Sequence, residues 1–407
     1  MPLKKENSRR SFLQTALVGG TAAALTTLRP ALAAGRAASP TAGDAPHASA
    51  PASAIQPFEL EEVTLAELQE GMKSGKFTAR SLVEKYTARI FEIDKREIDK
   101  PEIDKHRPAL NSVIELNPDA PAIADALDEE RKAKGPRGPL HGVPVLIKDN
   151  IATADRMMTT AGSLALVGAK PPKDSFVAQK LRAAGAVILG KTNLSEWANI
   201  RSSHSTSGWS GRGGLTRNPY ALDRNTSGSS SGTGAGVSAN LAAIGVGTET
   251  DGSIVSPSSL NGLVGIKPTV GLISRAGIIP IAHSQDTAGP MSRTVRDAAF
   301  LLSALAGLDP DDEATQASAG NSRPDYAQFC DPNGLKGVRI GVARKYFGFS
   351  DLVDALMEQA LDAMKAGRDL SQMDVFLCPF CGDIEFGAPP EECPICGAPA
   401  SKFQRVA

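Results

Sequence analysis

Three short segments carry residue types that together could run an acyl transfer without a histidine. Gly228-Ser229-Ser230-Ser231-Gly232 and Thr250-Asp251-Gly252-Ser253 are serine-bearing loops rich in glycine, and Lys148 closes the apolar run Val143-Pro144-Val145-Leu146-Ile147. Serine between glycines suits covalent catalysis, because glycine reaches backbone angles closed to other residues and lets N–H groups approach a substrate oxygen. Lysine is a poor base while protonated, with an unperturbed pKa of about 10.4. Desolvation behind an apolar run lowers that value, so the amine can take a proton near neutrality. A second serine between nucleophile and lysine would carry that proton. Gly/Ser runs are commonly linkers, but residues 225–236 pass directly into the largely apolar stretch 239–246 and a second glycine-containing turn.

A different chemistry is written near the C-terminus. Cys378-Pro-Phe-Cys381-Gly and Cys393-Pro-Ile-Cys396-Gly give the spacing C-x2-C-x11-C-x2-C. Four thiolates in two such knuckles build a tetrahedral site for iron or zinc, whereas a two-residue spacer is strained for a local disulfide. Cys330 stands apart from this set. Two other motifs carry no function. Gly185-Ala-Val-Ile-Leu-Gly190-Lys191-Thr192 fits the letters of a phosphate loop, but its four intervening residues are a strand and not a loop of free N–H groups. Gly232-x-Gly234-x-Gly236 lies inside a helix-like segment with no acidic partner at the right distance.

The elements that must position these residues alternate along the chain. Thr64 caps a helix reaching Gly71, with Glu67 completing a capping box, and Thr78 caps the next to about Ile90. Residues 143–147, 186–189, 243–246 and 338–342 read as buried strands, and Ser175–Ala184 and Ser231–Leu241 as helices between them. This predicts an α/β domain. Glu92-Ile-Asp-Lys95, Glu97-Ile-Asp-Lys100 and Glu102-Ile-Asp-Lys105 repeat with neither helical nor strand period and read as a solvated loop.

Bulk composition constrains little. The chain has 407 residues, 41% hydrophobic, and a formal net charge of −1, so neither nucleic-acid binding nor wholesale disorder is indicated. The N-terminus is more specific. Ser8-Arg9-Arg10-Ser11-Phe12-Leu13 is a twin-arginine signature followed by an apolar run and the small residues Ala31-Leu32-Ala33. The run is too short for a good spanning helix. We expect export through the twin-arginine translocase to the periplasm or exterior, cleavage near Ala33 or Ala34, and no membrane span afterwards. The expected organisation is a signal peptide (1–33), an Ala/Pro/Ser-rich linker (34–57), a catalytic domain (58–352), a junction helix (353–370) and a metal knuckle (371–407).

From about Glu59 to Phe349 the chain resembles the amidase signature family. The motifs carrying the resemblance are Gly142-Val-Pro-Val-Leu-Ile-Lys148-Asp-Asn, Thr159-Thr-Ala-Gly-Ser163, Gly190-Lys-Thr-Asn193, both serine loops and Gly265-Ile-Lys-Pro-Thr269. The serine loops are similar to the peptide amidase branch. The resemblance implies a mixed central sheet covered by helices and hydrolysis of linear carboxylic amides, C-terminal peptide amides included, with no cofactor. It implies Ser253 as nucleophile, Ser229 as the serine on a cis peptide bond, Lys148 as base, and backbone N–H groups of Thr250, Asp251, Gly252 and Ser253 as oxyanion donors. Most relatives have glycine where this chain has Asp251, whose carboxylate must then turn away from the developing charge.

Residues from about Leu361 to Phe403 resemble the rubredoxin-like domain of rubrerythrins, through Asp374-Val-Phe-Leu-Cys378 and Gly397-Ala-Pro-x-x-Lys-Phe403. None of the five histidines follows a glutamate by three residues, so the Glu-x-x-His pairs of a di-iron domain are missing and peroxide reduction is not implied. Amidase signature enzymes continue past Phe349, so the resemblance implies a truncated domain with an exposed sheet edge. The rival expectations are an inactive or misassembled chimera whose working part is an iron electron-transfer module, and a non-catalytic amide-binding protein.

Overall fold

The computed structural model describes residues 57–94, 109–366, 375–377, 384–386, 388–392 and 398–405. The expected signal peptide, nearly all of the expected linker, all but the start of the Glu-Ile-Asp-Lys repeats, and Cys378, Cys381, Cys393 and Cys396 lie outside these residues.

The capping box predicted at Thr64 forms, and the cap predicted at Thr78 is a capping box as well. Thr64 Oγ1 accepts from Glu67 N, and Glu67 Oε2 accepts from Thr64 N at 2.8 Å, opening helix α1 (Leu65–Lys73). Thr78 and Ser81 reciprocate in the same way at the start of α2 (Ala79–Ile93). Each cap satisfies donors the helix cannot, an effect of about 1 kcal/mol. Strand β1 (Val113–Leu116), helix α3 (Ala120–Lys134), β2 (Pro144–Lys148), α4 (Phe176–Ala183) and β3 (Val187–Thr192) follow. A two-residue hairpin pair, β4 (Trp209–Ser210) and β5 (Gly214–Leu215), leads to α5 (Ser231–Ser238). Then come β6 (Ile244–Glu249), α6 (Val255–Leu260), β7 (Val264–Gly265), β8 (Thr287–Ser292) and α7 (Val295–Leu305).

Six of these strands make one mixed sheet in the order β1-β3-β2-β6-β8-β7. Strand β2 runs parallel to both β3 and β6, while β1 and β8 pair antiparallel with β3 and β6. Every residue of β2, β3, β6 and β8 is buried. Covered on both faces, such strands read as continuous apolar runs, which is why three of them were legible. Leu82, Tyr86 and Ile90 of α2 and Leu301 and Leu305 of α7 join Val145, Ile147, Ile188 and Val246 in one core.

One predicted strand does not exist. Residues 338–342 are irregular, with Val338 and Ile340 about half exposed at 54% and 50%. A β-branched run becomes a strand only when another strand takes its N–H and C=O groups, and none pairs with this one among the described residues. The predicted helix after Ser231 also ends early, at Ser238, where Asn240 turns to φ 58° and Leu241 N donates to Gly236 O at 2.8 Å. Further on, α8 (Asp351–Lys365) occupies the predicted junction helix, with Leu352, Val353, Leu356 and Met357 exposed. Strands β9 (Val375–Leu377), β10 (Ile384–Phe386) and β11 (Gln404–Arg405) form a separate antiparallel sheet with β9 central. Among the described residues no helix is long and apolar enough to cross a membrane.

Candidate active site

Lys148 is the last residue of β2 and is wholly buried. Its Nζ lies 2.7 Å from Ser229 Oγ, 2.9 Å from Thr248 Oγ1 and 3.2 Å from Thr248 O. Burial pushes the Lys148 pKa from 10.5 down to about 7, against the charges of Glu249 and Asp286, which pull it back up. Loss of hydration disfavours the ammonium more than these carboxylates restore it.

Ser229 sits on the turn that feeds α5, and the Gly228–Ser229 peptide bond is cis. The turn is fixed from several sides. Ser195 N donates to Ser229 O at 3.1 Å, Ser230 Oγ to Thr248 O at 3.0 Å and Ser231 Oγ to Ser227 O at 2.7 Å. Helix α5 is buried along its whole length despite three glycines that lower its intrinsic propensity. The packing requires them: a Cβ on Gly232 would stand 2.2 Å from Ser112 O and 2.6 Å from Asn193 N. The glycine-rich stretch is therefore a close-packed support and not a linker.

The second loop follows β6. Ser230 N donates to Ser253 O at 3.1 Å, so the two serine loops are tied through backbone. Glu249 Oε2 accepts from Ile254 N at 2.7 Å and Val255 N at 2.9 Å, which holds the start of α6. Thr250 Oγ1 donates to Asp286 Oδ1 at 2.6 Å, and Gly252 takes φ 80°. Ser253 is 8% exposed. No hydrogen bond joins its hydroxyl to Ser229 among the described residues, and the N–H groups of Asp251, Gly252 and Ser253 meet no acceptor there. Asp251 is exposed. Beside this loop lies a cavity of about 590 Å³ floored by Asn150, Thr248, Glu249 and Thr250, with Ile278, Ile279 and Ile281 on its wall. Lys148, Ser229 and Ser253 are not on that wall.

Of the residues named from the sequence, the structure sets Ser229 against Lys148 and ties the Ser253 backbone to Ser230; sequence reasoning missed their neighbours Thr248, Asn150, Glu249, Asp286 and Ser195. Thr248 and Glu249 belong to the strand that runs into the Thr250–Ser253 loop, a position that could have flagged them. Asp286 and Ser195 reach the site through long-range packing and carry no local signal. Among the described residues no group of three or more His, Cys, Asp or Glu side chains could hold a metal, and the four knuckle cysteines lie outside them.

The chain belongs to the amidase family, which it matches over residues 100–380. Residues 376–404 match the rubredoxin-like domain of rubrerythrin, so the two matches meet just at the first cysteine knuckle. The solved native peptide amidase of Stenotrophomonas maltophilia is 50% identical, with a TM-score of 0.69 over 77% of this chain and 62% of that one. A probable amidase of Arabidopsis thaliana is 48% identical over 297 residues, covering 72% of this chain and 56% of the relative. A putative amidase of Arthroderma benhamiae is 45% identical over 331 residues, 75% of this chain and 54% of that one. The chain spans about half the length of the first curated relatives it matches, from 53% to 56%.

Proposed function

We propose that the chain hydrolyses linear carboxylic amides, C-terminal peptide amides among them, through an acyl-enzyme on Ser253. The observation that carries this reading is the buried contact of Lys148 Nζ with Ser229 Oγ at 2.7 Å. An uncharged amine has two N–H groups and one lone pair. Thr248 O and Thr248 Oγ1 take the two N–H groups, at 3.2 and 2.9 Å, and the lone pair is left for the Ser229 hydroxyl.

In the forward step Ser253 Oγ attacks the amide carbon while its proton passes to Ser229, whose own proton moves to Lys148 Nζ. The C–O bond forms, and the carbonyl oxygen becomes an oxyanion facing the N–H groups of the Thr250–Ser253 loop. One such donor lowers the barrier by about 2.7–4 kcal/mol. Collapse breaks the C–N bond, the amine departs with the proton returned through Ser229, and water then frees the acid. The peptide amidase of Stenotrophomonas maltophilia, at 50% identity, supports a peptide amide as substrate. Release of ammonia from an N-acetylated dipeptide amide tests the reading. Ser253→Ala is expected to lower the rate on the order of 10⁴-fold or more. Wild-type turnover in that variant would sink the assignment.

The rubredoxin-like match and the four thiols Cys378, Cys381, Cys393 and Cys396 support a second, separate reading, a bound iron or zinc ion. Such an ion would be held by these four thiolates and, as iron, would accept or pass one electron. Metal analysis of the purified chain is expected to give one iron or zinc per chain, lost in a Cys378→Ser/Cys393→Ser variant. Metal-free protein with all four thiols reactive refutes it.

A further inference from the structure

Two hydrogen-bond acceptors on the floor of the cavity are satisfied by nothing in the described chain. Asn150 is 4% exposed; its Nδ2 donates to Thr248 Oγ1 at 3.0 Å, while its Oδ1 is buried without a partner. Leaving such an atom unpaired in a buried place is unfavourable, so a ligand that donates to it recovers stabilisation. Glu249, also 4% exposed, spends Oε2 on Ile254 N and Val255 N and has no hydrogen bond to Oε1.

The charge around these atoms is one-sided. Glu249 faces Thr287 in the β6–β8 register, which sets Asp286 beside it, at Thr250. Neither Glu249 nor Asp286 has a cation within ion-pair distance among the described residues, whereas Asp311 pairs with Lys173 at 2.7 Å. The one arginine on the wall, Arg275, is neutralised by Asp312, to which its Nε donates at 2.9 Å. Ile278, Ile279 and Ile281 line the approach. An acceptor floor with two carboxylates that form no ion pair among the described residues, beneath an apolar wall, suits an alkyl chain ending in a positively charged N–H donor.

We propose that this cavity recognises a primary alkylammonium group on the amide substrate, with Asn150 Oδ1 and Glu249 Oε1 as its acceptors. The proposal rests on the amidase reading of the adjacent site. A cation here also favours uncharged Lys148, since like charges disfavour each other's ionisation.

The test compares Nα-acetyl-lysine amide with its isostere carrying a methyl in place of the ammonium. Binding to the full-length Ser253→Ala protein is read by calorimetry, and kcat/KM is read on the native chain. The cationic amide is expected to bind and react about tenfold better or more, the worth of a charge-assisted hydrogen bond. Glu249→Gln, or Asn150→Leu should the first fail to fold, is expected to bring the ratio of the two amides towards one, through KM for the cationic amide. Equal or weaker binding of the cationic amide overturns the proposal, as does an unchanged ratio in a folded variant. Hydrolysis of both amides without preference defeats this inference alone. Preferential binding with no ammonia from either amide defeats the hydrolytic reading and leaves the subsite standing.

Discussion

Two lysines are buried side by side in the same sheet, and they are built for different ends. In the β2–β3 register Lys191 lies opposite Ile147 and Lys148 opposite Thr192, so strand alternation sends the two amines to opposite faces. Burial lowers both pKa values, that of Lys148 to about 7 and that of Lys191 to about 8. Desolvation alone therefore does not make a base. The difference lies in what each amine meets. Lys191 donates to Ile151 O at 2.5 Å and Thr159 Oγ1 at 2.9 Å, and the nearby Asp149 carboxylate, itself pushed up by burial, favours its charged form. The Thr159 hydroxyl lies in the 159–162 turn and not on a serine loop, so this amine anchors the chain between β2 and that turn. Lys148 meets the hydroxyl of Ser229, whose loop is tied through Ser230 N to Ser253 O.

Replacing each lysine by methionine, of similar length, breaks this comparison most directly. Lys148→Met is expected to lower kcat about 10²–10⁴-fold, the usual range for a lost general base. Its thermal midpoint should fall little, because Thr248 O and Thr248 Oγ1 keep donors in Ser230 Oγ and Asn150 Nδ2, each at 3.0 Å. Lys191→Met should do the reverse, costing about 2–4 kcal/mol of stability by stranding the buried acceptors Ile151 O and Thr159 Oγ1 and removing a cation that acts on Asp149. Turnover per folded molecule should stay near the native value. Denaturant melts and rates normalised to folded protein check both. If Lys191→Met loses turnover as severely as Lys148→Met, the division of labour is wrong.

The pH profile sharpens the same contrast. Lys148 accepts a proton only when neutral, and burial sets its transition at about 7. Accordingly kcat/KM is expected to rise about tenfold per pH unit below that value and to level off above it. A folded Lys191→Met protein should keep this limb unmoved. A profile flat from pH 5 to 9 would remove Lys148 from the proton path.

How far these residues were legible from sequence follows the range of the forces involved. The Thr64 capping box and the Thr78 cap are local hydrogen bonds within four residues, and both were readable, although the return bond from Thr78 N to Ser81 Oγ was not. The strands ending at Lys148 and Thr192 were readable because continuous apolar runs mark burial on both faces. Residues 338–342 have the same composition and no strand beside them, since propensity does not specify a partner. Lys148, Ser229 and Ser253 stood out by residue type. Thr248 did not, because a strand buried on every residue shows no alternation to say which side chain faces the site, and Asn150 lies in the turn after β2, where no periodicity marks a face. Glu249 and Asp286 needed the β6–β8 register, which no local pattern encodes.

Thr248 gives the finest probe of the arrangement. Its hydroxyl oxygen accepts from both Lys148 Nζ, at 2.9 Å, and Asn150 Nδ2, at 3.0 Å, so it aims the amine and holds the floor of the cavity at once. Thr248→Val preserves shape and the backbone carbonyl but removes that acceptor. One N–H of Lys148 then has nowhere to point in a dry site, and the amine is free to turn its lone pair from Ser229. The loss of one neutral hydrogen bond is worth about 1 kcal/mol, so kcat should fall about fivefold, far less than in Lys148→Met. Thr248→Ser, which keeps the oxygen, should restore most of it, and a merely structural role for the methyl group would show the opposite order. Equal rates in all three proteins would mean that the carbonyl and Ser229 orient the amine unaided.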